Sequence, residues 1–154
     1  MLARFSCLLA GLWAGVLLCI GALAAPAAFA TLAPADAGRV AGRLFAQEAY
    51  ASLALALVLY VIERQRSRDA AAAGTGSVLS ANIVLLLGVL LCTVAGYFAL
   101  QPMLAAARAG QGAWSFAALH AVSGALFVLK GMLVLALAWR LSAPGALRTA
   151  APTS

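Results

Sequence analysis

Ionisable side chains set inside apolar runs carry the chemistry this sequence can offer. In LHAVSGALFVLKG, residues 119–131, His120, Ser123, Phe127 and Lys130 follow spacings of three, four and three. A helix gathers them on one face, with Gly124 and Gly131 along its edge. In GRLFAQEAY, residues 42–50, Arg43, Gln47 and Glu48 interrupt a second apolar run. At about 100° per residue, Arg39, Arg43, Gln47 and Tyr50 share a stripe roughly 80° wide, whereas Glu48 points roughly 140° away from Arg43. A pair between Glu48 and Arg43 on one helix is therefore geometrically poor. An ionised Glu48 needs its counter-charge from another helix, from water or from another subunit. An ionised lysine at mid-membrane costs about 2.5–3.5 kcal/mol on insertion scales, so Lys130 must face a bundle interior or reach for an interface.

Two arrangements satisfy these demands. One is a polar cluster in the outer half of a bundle, with Glu48 bridged to Lys130 or His120 and with Arg43 and Gln47 at its mouth. In the other, Arg43 snorkels to the outer headgroups, Lys130 snorkels inward and His120 caps a helix end. Snorkelling suits Arg43, which lies close to the interface; the interior pair suits Glu48 and Lys130, which lie deep in their spans. Other chemistries fall away. A single histidine cannot give bis-histidine haem ligation within one subunit, and no His, Cys or carboxylate group stands at metal-ligand spacing. No phosphate-cradling loop and no Gly-x-Ser-x-Gly motif is present. His120 and Ser123 lack a third, orienting group. The expectation is a protein with no enzymatic activity, no cofactor and no bound metal.

The elements that position these residues follow from composition. Of 154 residues, 66% are hydrophobic and 9% charged, against about 25% charged in an ordinary soluble domain, which excludes a soluble class. A hydrocarbon core of roughly 30 Å needs about 20 apolar residues per crossing, and four stretches qualify: residues 5–29, 40–62, 78–100 and 115–139. The predicted fold is all-α, a four-transmembrane-helix bundle of two antiparallel hairpins forming one domain over residues 1–142, with a disordered cytoplasmic tail over 143–154. Arg4, Arg64, Arg66, Arg68, Arg140 and Arg148 fall on one side, and Arg39, Arg43 and Arg108 on the other. The positive-inside bias then puts both termini and the middle loop in the cytoplasm. The net charge of +6 marks helix ends rather than a nucleic-acid surface, so the expected partner is the lipid bilayer, with a second copy or a membrane partner protein as further candidates.

The N-terminal thirty residues also have the basic start, apolar centre and small-residue end of a secretory signal peptide, but the run is long enough to cross the membrane and has its own packing pattern. Cys7, Cys19 and Cys92 all fall within spans, as small buried hydrophobes. RQRSRDAAAAGTGS, residues 64–77, reads as a flexible linker between the hairpins. Pro26 and Pro102 occupy similar places near the two outer turns, a faint parallel repeat. Small residues recur at helical spacing on every span: Gly11 and Gly15, Gly38 and Gly42, Gly88 and Gly96, Gly124 and Gly131. Such stripes predict close helix packing in lipid.

LWAG, AAPAAFATL and AGRVAGRLF in the first hairpin, then LQPMLAAAR and FAALHAVSG in the second, resemble the bacterial domain-of-unknown-function 4149 group related to transmembrane protein 205. The matching residues are Trp13, Gly15, Pro26, Phe29, Gly38, Phe45, Pro102, Arg108, His120 and Ser123. The resemblance implies a small four-helix protein of the bacterial inner membrane and no settled activity. Its members often place a polar residue, commonly asparagine, where this chain has Phe127, and Lys130 has no counterpart in that pattern. The expected function is a non-enzymatic membrane component whose polar cluster serves packing or a partner. The alternative is an oligomeric transporter or channel subunit with a proton- or ion-coupled path through Glu48, His120 and Lys130.

Overall fold

The computed structural model describes residues 2–143, so all but the first residue of the tail expected over 143–154 lies outside the described residues. Four helices are each long and apolar enough to cross a membrane: α1 Leu2–Thr31, α2 Pro34–Ala72, α3 Ala81–Arg108 and α4 Phe116–Ser142. No strand occurs among the described residues. Their starts are encoded locally. Pro34 opens α2 where its missing N–H has no intrahelical partner to lose. The Ser80 and Ser115 hydroxyls accept hydrogen bonds from the Ile83 and Ala118 amides at the heads of α3 and α4.

Sequential helices neighbour one another and α4 closes against α1, so that α1 faces α3 and α2 faces α4 across the diagonals. The end that carries both termini and the connection between α2 and α3 is the terminal end, and the other is the hairpin end.

The flexible linker expected over residues 64–77 is instead mostly helix: α2 runs on to Ala72. The segment begins with Arg and Gln and runs into four Ala, all good helix formers, and Glu63 just before it holds Arg66 one turn on (2.7 Å). Glu63 also accepts from Asn82 Nδ2 (2.8 Å), whose Oδ1 accepts from Arg140 Nε (2.9 Å), tying α2, α3 and α4 together at the terminal end. The helix stops at Gly74, φ +70°, where the Gly74 amide donates to Ala71 and the Thr75 amide to Ala70, a Schellman close that needs a residue at ease in the left-handed region.

The two prolines have matching consequences. α1 and α3 each carry six residues of π-helix, Cys19–Ala24 and Val94–Ala99, just before Pro26 and Pro102. A helix-interior proline cannot donate its amide and its ring collides with the carbonyl four residues back, and widening the turn by one residue relieves both defects. Beyond its π turn α1 leans on α2 and leaves α4, while the far end of α3 stays with α4. The hairpins therefore splay apart at the hairpin end.

Toward the terminal end all four helices close on one another. Ala10, Trp13, Ala14, Leu17, Ala56, Leu59, Leu86, Val89, Val134, Leu137 and Leu141 form one buried cluster drawn from all four helices. Large apolar side chains such as Leu12, Leu57, Leu91 and Leu135 point outward, as a lipid-facing surface requires.

The glycine stripes correct the packing expectation. A Cβ on Gly88 would stand 3.1 Å from Leu133, and one on Gly96 3.3 Å from Leu126, so these two do mark close approach of α3 and α4. At Gly11, Gly15, Gly38, Gly42, Gly124 and Gly131 a Cβ meets nothing within 4 Å. Gly11 and Gly15 face outward, and Gly38, Gly42 and Gly124 border a void.

Candidate functional site

Glu48 and Lys130 each stand fourteen residues in from the hairpin-end start of their helix, about 21 Å along the axis, so the two arrive at one level. They meet across the α2–α4 diagonal: Lys130 Nζ donates to Glu48 Oε1 at 2.9 Å and to Oε2 at 2.7 Å. Both side chains are buried, at 3% and 5% exposure. Ser52, one turn below Glu48, donates to Oε1 and itself accepts from Trp13 Nε1 at 2.9 Å. One polar chain thus runs from α1 through α2 to α4, and both carboxylate oxygens have partners. Lys130 also lies over the Phe127 ring, 5.1 Å from its centroid, and Phe127 meets Phe45 of α2 edge to face at 5.1 Å.

This pair forms the floor of a cavity of about 320 Å³ in the hairpin half. Its α2 wall is Gly38, Ala41, Gly42, Phe45 and Glu48, and its α4 wall is His120, Ser123, Gly124, Phe127, Val128 and Lys130. α3 contributes Cys92 and Thr93 just before its π turn, and from the turn onward Gly96, Tyr97, Gln101, Leu104 and Arg108. The Ser123 hydroxyl donates to the Gly96 carbonyl at that turn (3.3 Å). Near the rim, Phe116 stacks on His120 at 5.6 Å and carries the Arg108 guanidinium 4.8 Å above its ring.

Of the residues expected to form a polar cluster, Glu48, His120, Ser123 and Lys130 border this one cavity, while Arg43 and Gln47 do not. Both are exposed on α2. The reason is angular: the cavity face of α2 centres roughly 160° from the Arg39–Arg43–Gln47–Tyr50 stripe, which therefore looks outward. Glu48 takes Lys130 rather than His120 as its partner. Sequence reasoning did not find Cys92, Thr93, Tyr97, Gln101 and Leu104, which line the void, nor the Trp13–Ser52 bond. It could have found Ser52, which follows Glu48 by four on the face that α2 buries. Among the described residues no group of three His, Cys, Asp or Glu side chains could hold a metal ion.

Four apolar helices around a buried ion pair define a multi-pass helical membrane protein. Within that class, the chain belongs to the family described as Domain of unknown function (DUF4149), whose family model matches residues 8–113. The match ends before α4, so His120, Ser123 and Lys130 lie outside it, whereas Phe29, Gly38, Phe45 and Arg108, four of the residues that carry the resemblance, lie inside it and line the cavity. No curated protein and no solved structure matches the chain.

Proposed function

We propose that this chain is a non-enzymatic component of the bacterial inner membrane, with both termini cytoplasmic, whose hairpin-half cavity receives a small molecule. The observation that carries the reading is the cavity itself: about 320 Å³, at the lower end of the roughly 300–1,000 Å³ typical of ligand sites, with apolar walls and a few convergent polar groups. Its glycines support the same view. Gly38, Gly42 and Gly124 border the void with no neighbour to accommodate, so they enlarge the space rather than bring helices together.

The transport alternative is favoured by the position of Glu48 and Lys130 on the cavity floor, but the packed cluster beneath them closes the path toward the terminal end. A single copy working as a transporter has to separate the pair and part that core. Binding needs neither.

Native mass measurement of the protein released from its own membrane tests the reading. The parent should carry a small-molecule adduct, and Gly42→Leu, which extends a side chain into open space, should lose it while keeping its thermal unfolding midpoint. A bare parent, or equal occupancy in both proteins, overturns the proposal. Proteoliposome flux compared between the parent and Glu48→Gln addresses transport: flux that falls in the variant would favour it over simple binding.

A further inference from the structure

Beside the central cavity a second void of about 280 Å³ follows the α1–α4 seam, walled by residues such as Leu17, Leu18, Met132 and Leu135. The two voids share Gly21, Phe127 and Val128. Together they make one slot that the Phe127 ring closes midway, lying so close on Gly21 that an added Cβ would stand 2.8 Å from it, so a guest that spans both voids has to turn the ring aside. Above that point the cavity reaches the bilayer sideways, because Phe29 of α1 and Gly124 and Val128 of α4 border it and are themselves exposed.

Charge marks the other end of the slot. Glu48 and Lys130 neutralise each other, and Asp36 is held by Arg39. Arg108, the last residue of α3, borders the cavity and has no carboxylate partner among the described residues; its contact is the face of Phe116. A guanidinium fixed on an aromatic ring keeps its fork of donors free for a planar or tetrahedral oxyanion. His120 on the same ring and Gln101, about two turns further in on α3, add polar groups along the cavity below it.

We propose that the slot holds a single-chain anionic amphiphile taken sideways from the membrane, with its oxyanion head, phosphate or carboxylate, on Arg108 and its apolar chain along the α1–α4 seam past Phe127. This rests on the reading of the cavity as a receptor and names what it receives. The head sits at the hairpin end of α3, at headgroup level. The chain cannot continue through the floor, where the Glu48–Lys130 pair is closed, so it turns along the seam, displacing the Phe127 ring from Gly21 to enter a lower void that is almost wholly apolar. One seam takes one chain.

The test is titration of the purified, delipidated full chain in neutral detergent, read by native mass measurement, with four probes: lysophosphatidic acid, oleate, lysophosphatidylcholine and inorganic phosphate. Lysophosphatidic acid and oleate should bind one per chain, and the other two should not. Arg108→Gln should weaken both by about 10- to 100-fold, the loss expected for charge-assisted hydrogen bonds, and Arg108→Lys by less. Gly124→Leu, which fills the sideways opening, should abolish binding without lowering the thermal midpoint. Equal affinity for the zwitterionic lipid, phosphate binding as tight as that of the lipid, or indifference to Arg108→Gln overturns the proposal. If membrane-released protein carries an adduct that Gly42→Leu loses but none of the four probes binds, this inference fails and the receptor reading stands; a bare membrane-released parent fails the receptor reading itself.

Discussion

The same four helices build two different interiors on either side of the Glu48–Lys130 level. Toward the terminal end, Trp13, Leu59, Leu86, Leu137 and Leu141 interlock with almost no exposure, and Glu63, Asn82 and Arg140 tie three helices together. Toward the hairpin end, the π turns before Pro26 and Pro102 splay the hairpins around a void. Small residues change role across this boundary. Gly88 admits Leu133, as helix association in lipid requires when apolar burial supplies no drive. Gly38, Gly42 and Gly124 admit nothing and leave space. The packed half holds the bundle in register so that the open half can remain open.

The ion pair at the boundary should give the largest effect. Lys130→Met strands Glu48 with Ser52 as its remaining partner, and breaking a buried pair in this way costs about 3–5 kcal/mol. Reversible unfolding in detergent is the measurement. Glu48→Leu/Lys130→Met should recover most of that loss, since exchanging both members of a buried pair for apolar residues is close to neutral. A single-variant loss near 1 kcal/mol, the size seen for solvated pairs, would show that water from the cavity reaches the floor and that the boundary between the halves is soft.

A smaller contrast comes from one substitution made on each side. Gly88→Leu forces a branched side chain against Leu133 and should destabilise by about 1–3 kcal/mol, the cost of overpacking. Gly42→Leu meets open space and replaces a poor helix former with a good one, so it should be neutral or stabilising by up to about 1 kcal/mol. Equal destabilisation at both positions, in the same unfolding assay, would remove the distinction between packing glycines and space-making ones.

Why the two halves differed in legibility is physical. Four spans follow from apolar run length alone, and the depth of Glu48 and Lys130 makes an interior pair the economical arrangement. The roughly 140° between Glu48 and Arg43 also contained the fate of Arg43 and Gln47: once Glu48 faces inward, their stripe must face out. The length of α2 was readable too, because its buried face continues at spacings of three and four through Ser52, Ala56, Leu59, Glu63 and Ser67, past the apolar run that marks the membrane. The void was not readable. It depends on how far two proline-linked π turns swing their helices, a tertiary outcome with no periodic signature, and glycines lining a gap look in sequence like glycines lining a contact.

The finest probe is the bond that joins the packed half to the boundary. Trp13 Nε1 donates to Ser52 Oγ, which passes its own hydrogen to Glu48, so the indole orients the hydroxyl that completes the carboxylate's shell. Trp13→Phe keeps an aromatic ring in the core but removes that donor, and should cost about 0.5–1.5 kcal/mol for the hydrogen bond together with a share for the smaller ring. Ser52→Ala separates the two, because in its background Trp13→Phe can lose ring packing but no longer this bond. If the indole acts on the pair through Ser52, the cycle of single and double variants shows coupling of at least about 0.5 kcal/mol. Additive losses would mean that Trp13 is only a large core residue, and that the ion pair is held by the cavity half alone.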